Sequence, residues 1–194
     1  VDAFLASTAA VTLAEMGDKT QLLTLFLMVR YRRPLVILAG ILLATLANHW
    51  LSAWLGIWAA QWLDPRHAQL AIGISFIAIG LWLLVPDKLE EPSSLGRKWG
   101  PLLTTTVLFF LAEIGDKTQV ATVVLAAHYE QLAAVVVGTT VGMLLANAPM
   151  LLIGEQLLQR LPLARLRLAA FALFTLLGLW SLAPWWTAWF SAGP

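Results

Sequence analysis

Leu13-Ala-Glu-Met-Gly-Asp-Lys-Thr-Gln21 recurs as Leu111-Ala-Glu-Ile-Gly-Asp-Lys-Thr-Gln119, identical at eight of nine positions and offset by 98 residues. The same offset pairs Tyr31 with Tyr129, Gly40 with Gly138, Gly56 with Gly154, and Gly80-Leu81-Trp82 with Gly178-Leu179-Trp180. A slip of one residue pairs Ala47-Asn48 with Ala146-Asn147. Residues 1–98 and 99–194 therefore read as two copies of one unit, together forming a single domain.

What lies around the motifs decides the unit. Of 194 residues, 60% are hydrophobic and 12% charged, against roughly 25% charged in an ordinary soluble domain. A hydrocarbon core of about 30 Å takes about 20 apolar residues to cross. Apolar runs punctuated by charge and proline predict spans near 3–29, 34–60, 68–86, 101–127, 132–158 and 167–185. Pro34 and Pro101 stand where a helix best tolerates proline, in its first turn. Asp64-Pro65-Arg66 and Arg160-Leu161-Pro162 mark turns. The fold expected is all-α and integral to the membrane, with six transmembrane helices as two three-helix repeats. Three is odd, so the second copy enters from the opposite side and the repeats are inverted, an arrangement that puts transporter substrates near the bilayer midplane.

Basic residues orient the chain. The connectors after spans one, three and five hold Arg30, Arg32, Arg33, Lys88, Arg97, Lys98, Arg160, Arg165 and Arg167, nine of the twelve. The opposite side holds only Arg66, while Lys19 and Lys117 lie inside spans. The nine-residue side is expected to be cytoplasmic, with both termini outside a cell (inner) membrane. Trp185, Trp186 and Trp189 fit an outer interfacial belt, and Trp50, Trp54, Trp58 and Trp62 form a stripe of lipid-facing or packing aromatics. The first span lacks a basic leader and a small-residue cleavage site, so it is expected to be retained. The longest connector, from Pro86 to Gly100, carries Asp87, Glu90 and Glu91 beside its lysines and arginine. With no cysteine, disulfides and thiolate chemistry are excluded, and no basic stripe points to nucleic acid.

The motifs carry the chemistry. A charge at the bilayer centre costs about 3 kcal/mol on insertion scales, so intramembrane ionisable residues are functional candidates by default. Glu15 with Asp18, and Glu113 with Asp116, share a helix face at i and i+3, and Gln21 and Gln119 extend it. Gly17 and Gly115 permit either close helix approach or a local break that exposes carbonyls. Joined across a two-fold axis, the motifs offer four carboxylates, two amide oxygens and, from Thr20 and Thr118, two hydroxyls. Such an all-oxygen shell suits Ca²⁺, Mn²⁺ or Mg²⁺ rather than Zn²⁺ or Cu⁺. Four clustered carboxylates cannot all stay ionised without a cation, so protons and a divalent cation compete for them. Competition of this kind is the minimum chemistry of cation/proton antiport.

The remaining polar residues have two readings each. Lys19 and Lys117 are each expected to snorkel or to meet an acid of the opposite motif, either as an ion pair exchanged when a cation arrives or as a structural lock. Asn48 and Asn147 are accessory candidates for the shell, although helix–helix hydrogen bonding is the commoner use of an intramembrane Asn. His49 is read as structural, His67 and His128 as solvated connector residues, and Glu155 as snorkelling.

The doubled Glu-x-Gly-Asp-Lys-Thr motif in a six-helix chain resembles uncharacterised protein family 0016, which includes the Golgi transmembrane protein 165 and bacterial manganese exporters. The resemblance covers essentially the whole chain and neither motif departs from the pattern, although the central connector is shorter than in many relatives. It implies Mn²⁺ transport, often with Ca²⁺, coupled to protons, with Glu15, Asp18, Glu113 and Asp116 as the acidic site residues. No permanently bound cofactor is implied; the metal and H⁺ are cargo, and a homo-oligomer is compatible with this reading. Two rivals differ in class: an exporter of small organic cations such as amino acids, and an intramembrane aspartyl protease. The protease reading fits poorly, since such enzymes use two dissimilar aspartate motifs, whereas these two are alike.

Overall fold

A computed structural model describes residues 1–86, 99–154 and 161–185. Asp87, Lys88, Glu90, Glu91, Arg97 and Lys98 of the central connector, and Glu155, Arg160, Trp186 and Trp189, lie outside the described residues. Among the described residues there are eight helices and no strand. They are α1 (Asp2–Glu15), α2 (Lys19–Tyr31), α3 (Pro34–Ala60), α4 (Pro65–Leu83), α5 (Pro101–Glu113), α6 (Lys117–Tyr129), α7 (Leu132–Ile153) and α8 (Leu163–Ser181).

Local chemistry sets the ends. Pro34, Pro65 and Pro101 open α3, α4 and α5, where the missing N–H costs nothing. Asp64 caps α4, its carboxylate accepting the Arg66 N–H at 2.9 Å. Arg32 and Glu130, 98 residues apart, both take left-handed conformations that stop α2 and α6. Gly154, with φ +73°, ends α7 short of the run expected to reach residue 158.

Four helices, α3, α4, α7 and α8, are long and apolar enough to cross a membrane. Leu43, Trp50, Trp54, Leu55 and Trp58 of α3, with Leu176 and Trp180 of α8, are exposed, as side chains solvated by lipid can be. The chain is a multi-pass membrane protein. The stretches expected as continuous spans at 3–29 and 101–127 differ from that expectation. Each is two helices, α1 with α2 and α5 with α6, interrupted at the motif. The physical cause is the glycine, since Gly17 (φ +85°) and Gly115 (φ +76°) take a conformation that a helix cannot continue through.

Packing brings the two breaks together. α1 lies on α7 and α3 on α5, while α3 and α7 touch each other at the centre. α2 rests on α7, α6 rests on α3, and α4 pairs with α8. Small residues set the close approaches. A Cβ on Gly40 would lie 2.6 Å from the Thr105 Cβ, and one on Gly138 would lie 2.6 Å from the Phe4 carbonyl and 3.0 Å from the Ser7 Cβ. Thr105 and Ser7 are themselves 98 apart, so the two contacts use equivalent positions. Around them, Ile37, Ile41, Phe109 and Met143 form one apolar cluster, and Phe76, Phe174 and Leu125 belong to another.

Candidate metal site

Each motif builds the same turn. Glu15 is the last residue of α1, Met16 is extended, Gly17 reverses the chain, and Asp18 precedes α2. Glu113, Ile114, Gly115 and Asp116 repeat the sequence between α5 and α6. The Asp18 N–H donates to the Glu15 carbonyl, and the Asp116 N–H to the Glu113 carbonyl, both at 3.1 Å. Breaking the helix frees further backbone groups that need partners. The glutamines supply them: Gln21 Oε1 accepts the Gly17 N–H at 2.9 Å and Gln119 Oε1 the Gly115 N–H at 2.6 Å.

Carboxylates from both motifs then converge. One oxygen each from Glu15, Glu113 and Asp116 lie within 4.8 Å of one another, and all three residues are buried. Thr20 Oγ1 donates to Glu15 Oε2 at 2.6 Å, and Thr118 Oγ1 to Glu113 Oε2 at 2.9 Å and Asp116 Oδ2 at 3.3 Å. The other oxygens of the glutamates, Glu15 Oε1 and Glu113 Oε1, accept no hydrogen bond from the described residues. Divalent cations bind oxygen at about 2.0–2.6 Å, so ligands across one ion stand roughly 4–5 Å apart. The spacing of the triad fits a single hard cation.

The other sequence candidates fall around this triad. Asp18 is buried but outside it, lining a shallow recess with Met16, Gly17, Val85, Lys117 and Arg167. Lys19 Nζ sits 3.0 Å from Asp116 Oδ1, an acid of the opposite motif, whereas Lys117 Nζ donates to the Val85 carbonyl at 2.7 Å. Asn48 and Asn147 are held by neighbours: Gln119 Nε2 donates to Asn48 Oδ1 at 2.7 Å, and Thr24 Oγ1 to Asn147 Oδ1 at 2.8 Å. His49 is buried in α3, and His67 is exposed beside Asp64 at 3.6 Å.

His128 is a correction. It was expected in a solvated connector, but α6 runs on to Tyr129 and seats the ring edge-on among Phe76, Tyr129 and Trp180, 4.7–5.8 Å between centroids. Thr24 and Thr122 were missed at the sequence level. The signal was present, since they too are 98 apart and stand one turn beyond Thr20 and Thr118.

Buried acids meeting between interrupted helices, in a multi-pass membrane protein, define a class of cation carriers. The chain belongs to the family described as divalent cation/proton antiporter GDT1, which matches it twice, over residues 3–91 and 101–189. A Vibrio cholerae protein named "Putative manganese exporter" is 49% identical over 174 residues, covering 89% of this chain and 86% of the relative. "GDT1-like protein 3" of Oryza sativa subsp. japonica is 30% identical over 167 residues, covering 73% of this chain. "GDT1-like protein 3" of Arabidopsis thaliana is 26% identical over 187 residues, covering 82% of it. The matched region spans 59% of the rice protein and 63% of the Arabidopsis one. No solved structure matches the chain.

Proposed function

We propose that this protein exports Mn²⁺ from the cytoplasm in exchange for protons, with Ca²⁺ as a second substrate, by alternating access to one site formed by both motifs. The observation that carries the reading is the triad itself: Glu15 comes from the first motif, Glu113 and Asp116 from the second, and their oxygens reach within 4.8 Å. Either half alone would lack part of it. In this reading α1 with α2 forms one span and α5 with α6 another, giving six spans in two inverted repeats. The double family match and the equivalent contacts at Gly40 and Gly138 support the repeat. The basic connectors support an inner-membrane orientation with both termini outside.

The chain's own groups suggest the steps. With the site closed to one side, the two buried glutamates hold either protons or the cation, because unshielded like charges cannot crowd together away from water. Thr20 and Thr118 fix the glutamate oxygens by hydrogen bonds and leave Glu15 Oε1 and Glu113 Oε1 for the cargo. Lys19 holds Asp116 and cancels its charge beside the glutamates.

The test is uptake of Mn²⁺ and Ca²⁺ by proteoliposomes with and without an imposed pH gradient. An acidic interior is expected to drive metal inward, and Glu15→Gln and Glu113→Gln are each expected to abolish uptake while the protein remains folded. Metal flux indifferent to the proton gradient, or wild-type rates from both variants, would overturn the proposal.

A further inference from the structure

At one pair of contacts the difference between the two halves has the form of an exchange. Gly17 and Gly115 each donate to the oxygen of their glutamine, so each Nε2 must donate elsewhere. In the first half Gln21 Nε2 donates to the Ala146 carbonyl at 2.8 Å, and the Thr24 hydroxyl is shared between Asn147 Oδ1 at 2.8 Å and the Thr20 carbonyl of its own helix at 2.9 Å. In the second half Gln119 Nε2 donates to Asn48 Oδ1 at 2.7 Å, and the Thr122 hydroxyl stays within its own helix, on the Thr118 carbonyl at 2.8 Å. Gln21 corresponds to Gln119, Thr24 to Thr122, and Ala146-Asn147 to Ala47-Asn48. The same four groups are thus joined in two registers, one in each half.

Exposure separates the registers in the same sense. Beside Gln119, Ile114 is 55% exposed and a Cβ on Gly115 would meet nothing. Beside Gln21, Met16 is half-buried and a Cβ on Gly17 would strike the Leu163 side chain at 2.8 Å. Glutamine on asparagine accompanies the open turn, and glutamine on backbone with threonine on asparagine accompanies the covered one.

We propose that Asn48 and Asn147 are positioning residues for the motif glutamines, and that the halves trade registers when the site changes the side it faces; this rests on the alternating-access reading above. In the opposite state Gln21 donates to Asn147, Gln119 to the Ala47 carbonyl, and Thr122 to Asn48. The threonine hydroxyl then biases the state, by adding a hydrogen bond to the asparagine oxygen in the register where the glutamine donates to backbone. Thr24 favours the state described here, and Thr122 its opposite.

The chain has no cysteine, so a single introduced thiol reports alone. Ile114→Cys and Met16→Cys are to be labelled with a water-soluble maleimide in vesicles, in otherwise wild-type, Thr24→Val and Thr122→Val backgrounds. Loss of one buried hydrogen bond shifts a two-state ratio by roughly five-fold. Thr24→Val is expected to slow labelling at residue 114 and speed it at residue 16 by about that factor, and Thr122→Val to do the reverse. Thr24→Ser, which keeps the hydroxyl, is expected to label as wild type. Should Thr24→Val fail to fold, slower labelling of Met16→Cys in Thr122→Val supports the exchange, and unchanged labelling overturns it. Shifts in the same direction from both valines, or no shift, also overturn it. Labelling needs no metal movement. Opposed shifts in the two valine backgrounds, with no Mn²⁺ uptake by wild-type vesicles, would therefore sink the transport reading and keep the registers.

Discussion

Gly17 and Gly115 occupy identical places in the motif and share a positive φ, yet they are not equally replaceable. An alanine at either position pays for a left-handed backbone, about 1 kcal/mol. At Gly17 the added methyl also meets Leu163, whereas at Gly115 it enters open space. Gly115→Ala is expected to lower stability modestly and Gly17→Ala somewhat more, because the Leu163 methyl must swing aside. Thermal unfolding of the two variants in detergent checks the order, and equal losses would show that Leu163 yields freely. The glutamines teach a related lesson about reading residues. Their spacing suggests ligands, but once the glycine breaks the helix the nearest unmet donor is a backbone N–H four residues back, and Oε1 takes it.

At the level of elements, helix contact depends on what is missing from Gly40 and Gly138. Each lets a neighbouring helix approach until a Cβ would overlap it, at 2.6 Å in both cases. Gly40→Ala and Gly138→Ala are each expected to cost about 1–3 kcal/mol and to loosen α3 from α5 or α1 from α7. Unfolding midpoints in a common detergent test this, with Gly100→Ala as a control, since a Cβ there meets nothing. The paired glycines were legible in the sequence because identity at a fixed offset survives wherever packing forbids a side chain. The motif acids were legible because charge in an apolar run is conspicuous. The interruption was only half legible: Gly17 allowed a close approach or a break, and only the φ of +85° decides between them. The neighbours of His128 were not legible, because a helix end misjudged by a few residues moves a side chain from solvent to packing.

For the molecule as a whole, the ion pair between Lys19 and Asp116 has an electrical consequence. While the ammonium cancels Asp116, the triad offers the cargo two uncancelled carboxylates, those of Glu15 and Glu113. Two protons neutralise that pair, and so does one divalent ion. In the exchange proposed above, the loaded site then carries the same charge on the outward and return strokes, and membrane voltage does no work on either. Potassium diffusion potentials of either sign, set with valinomycin at fixed pH gradient, are expected to leave Mn²⁺ uptake rates unchanged. A rate that tracks the voltage would mean that Lys19 lets go and a third carboxylate joins the count. A cell whose membrane potential collapses would, on this arithmetic, keep its exchanger running for as long as the proton gradient lasts.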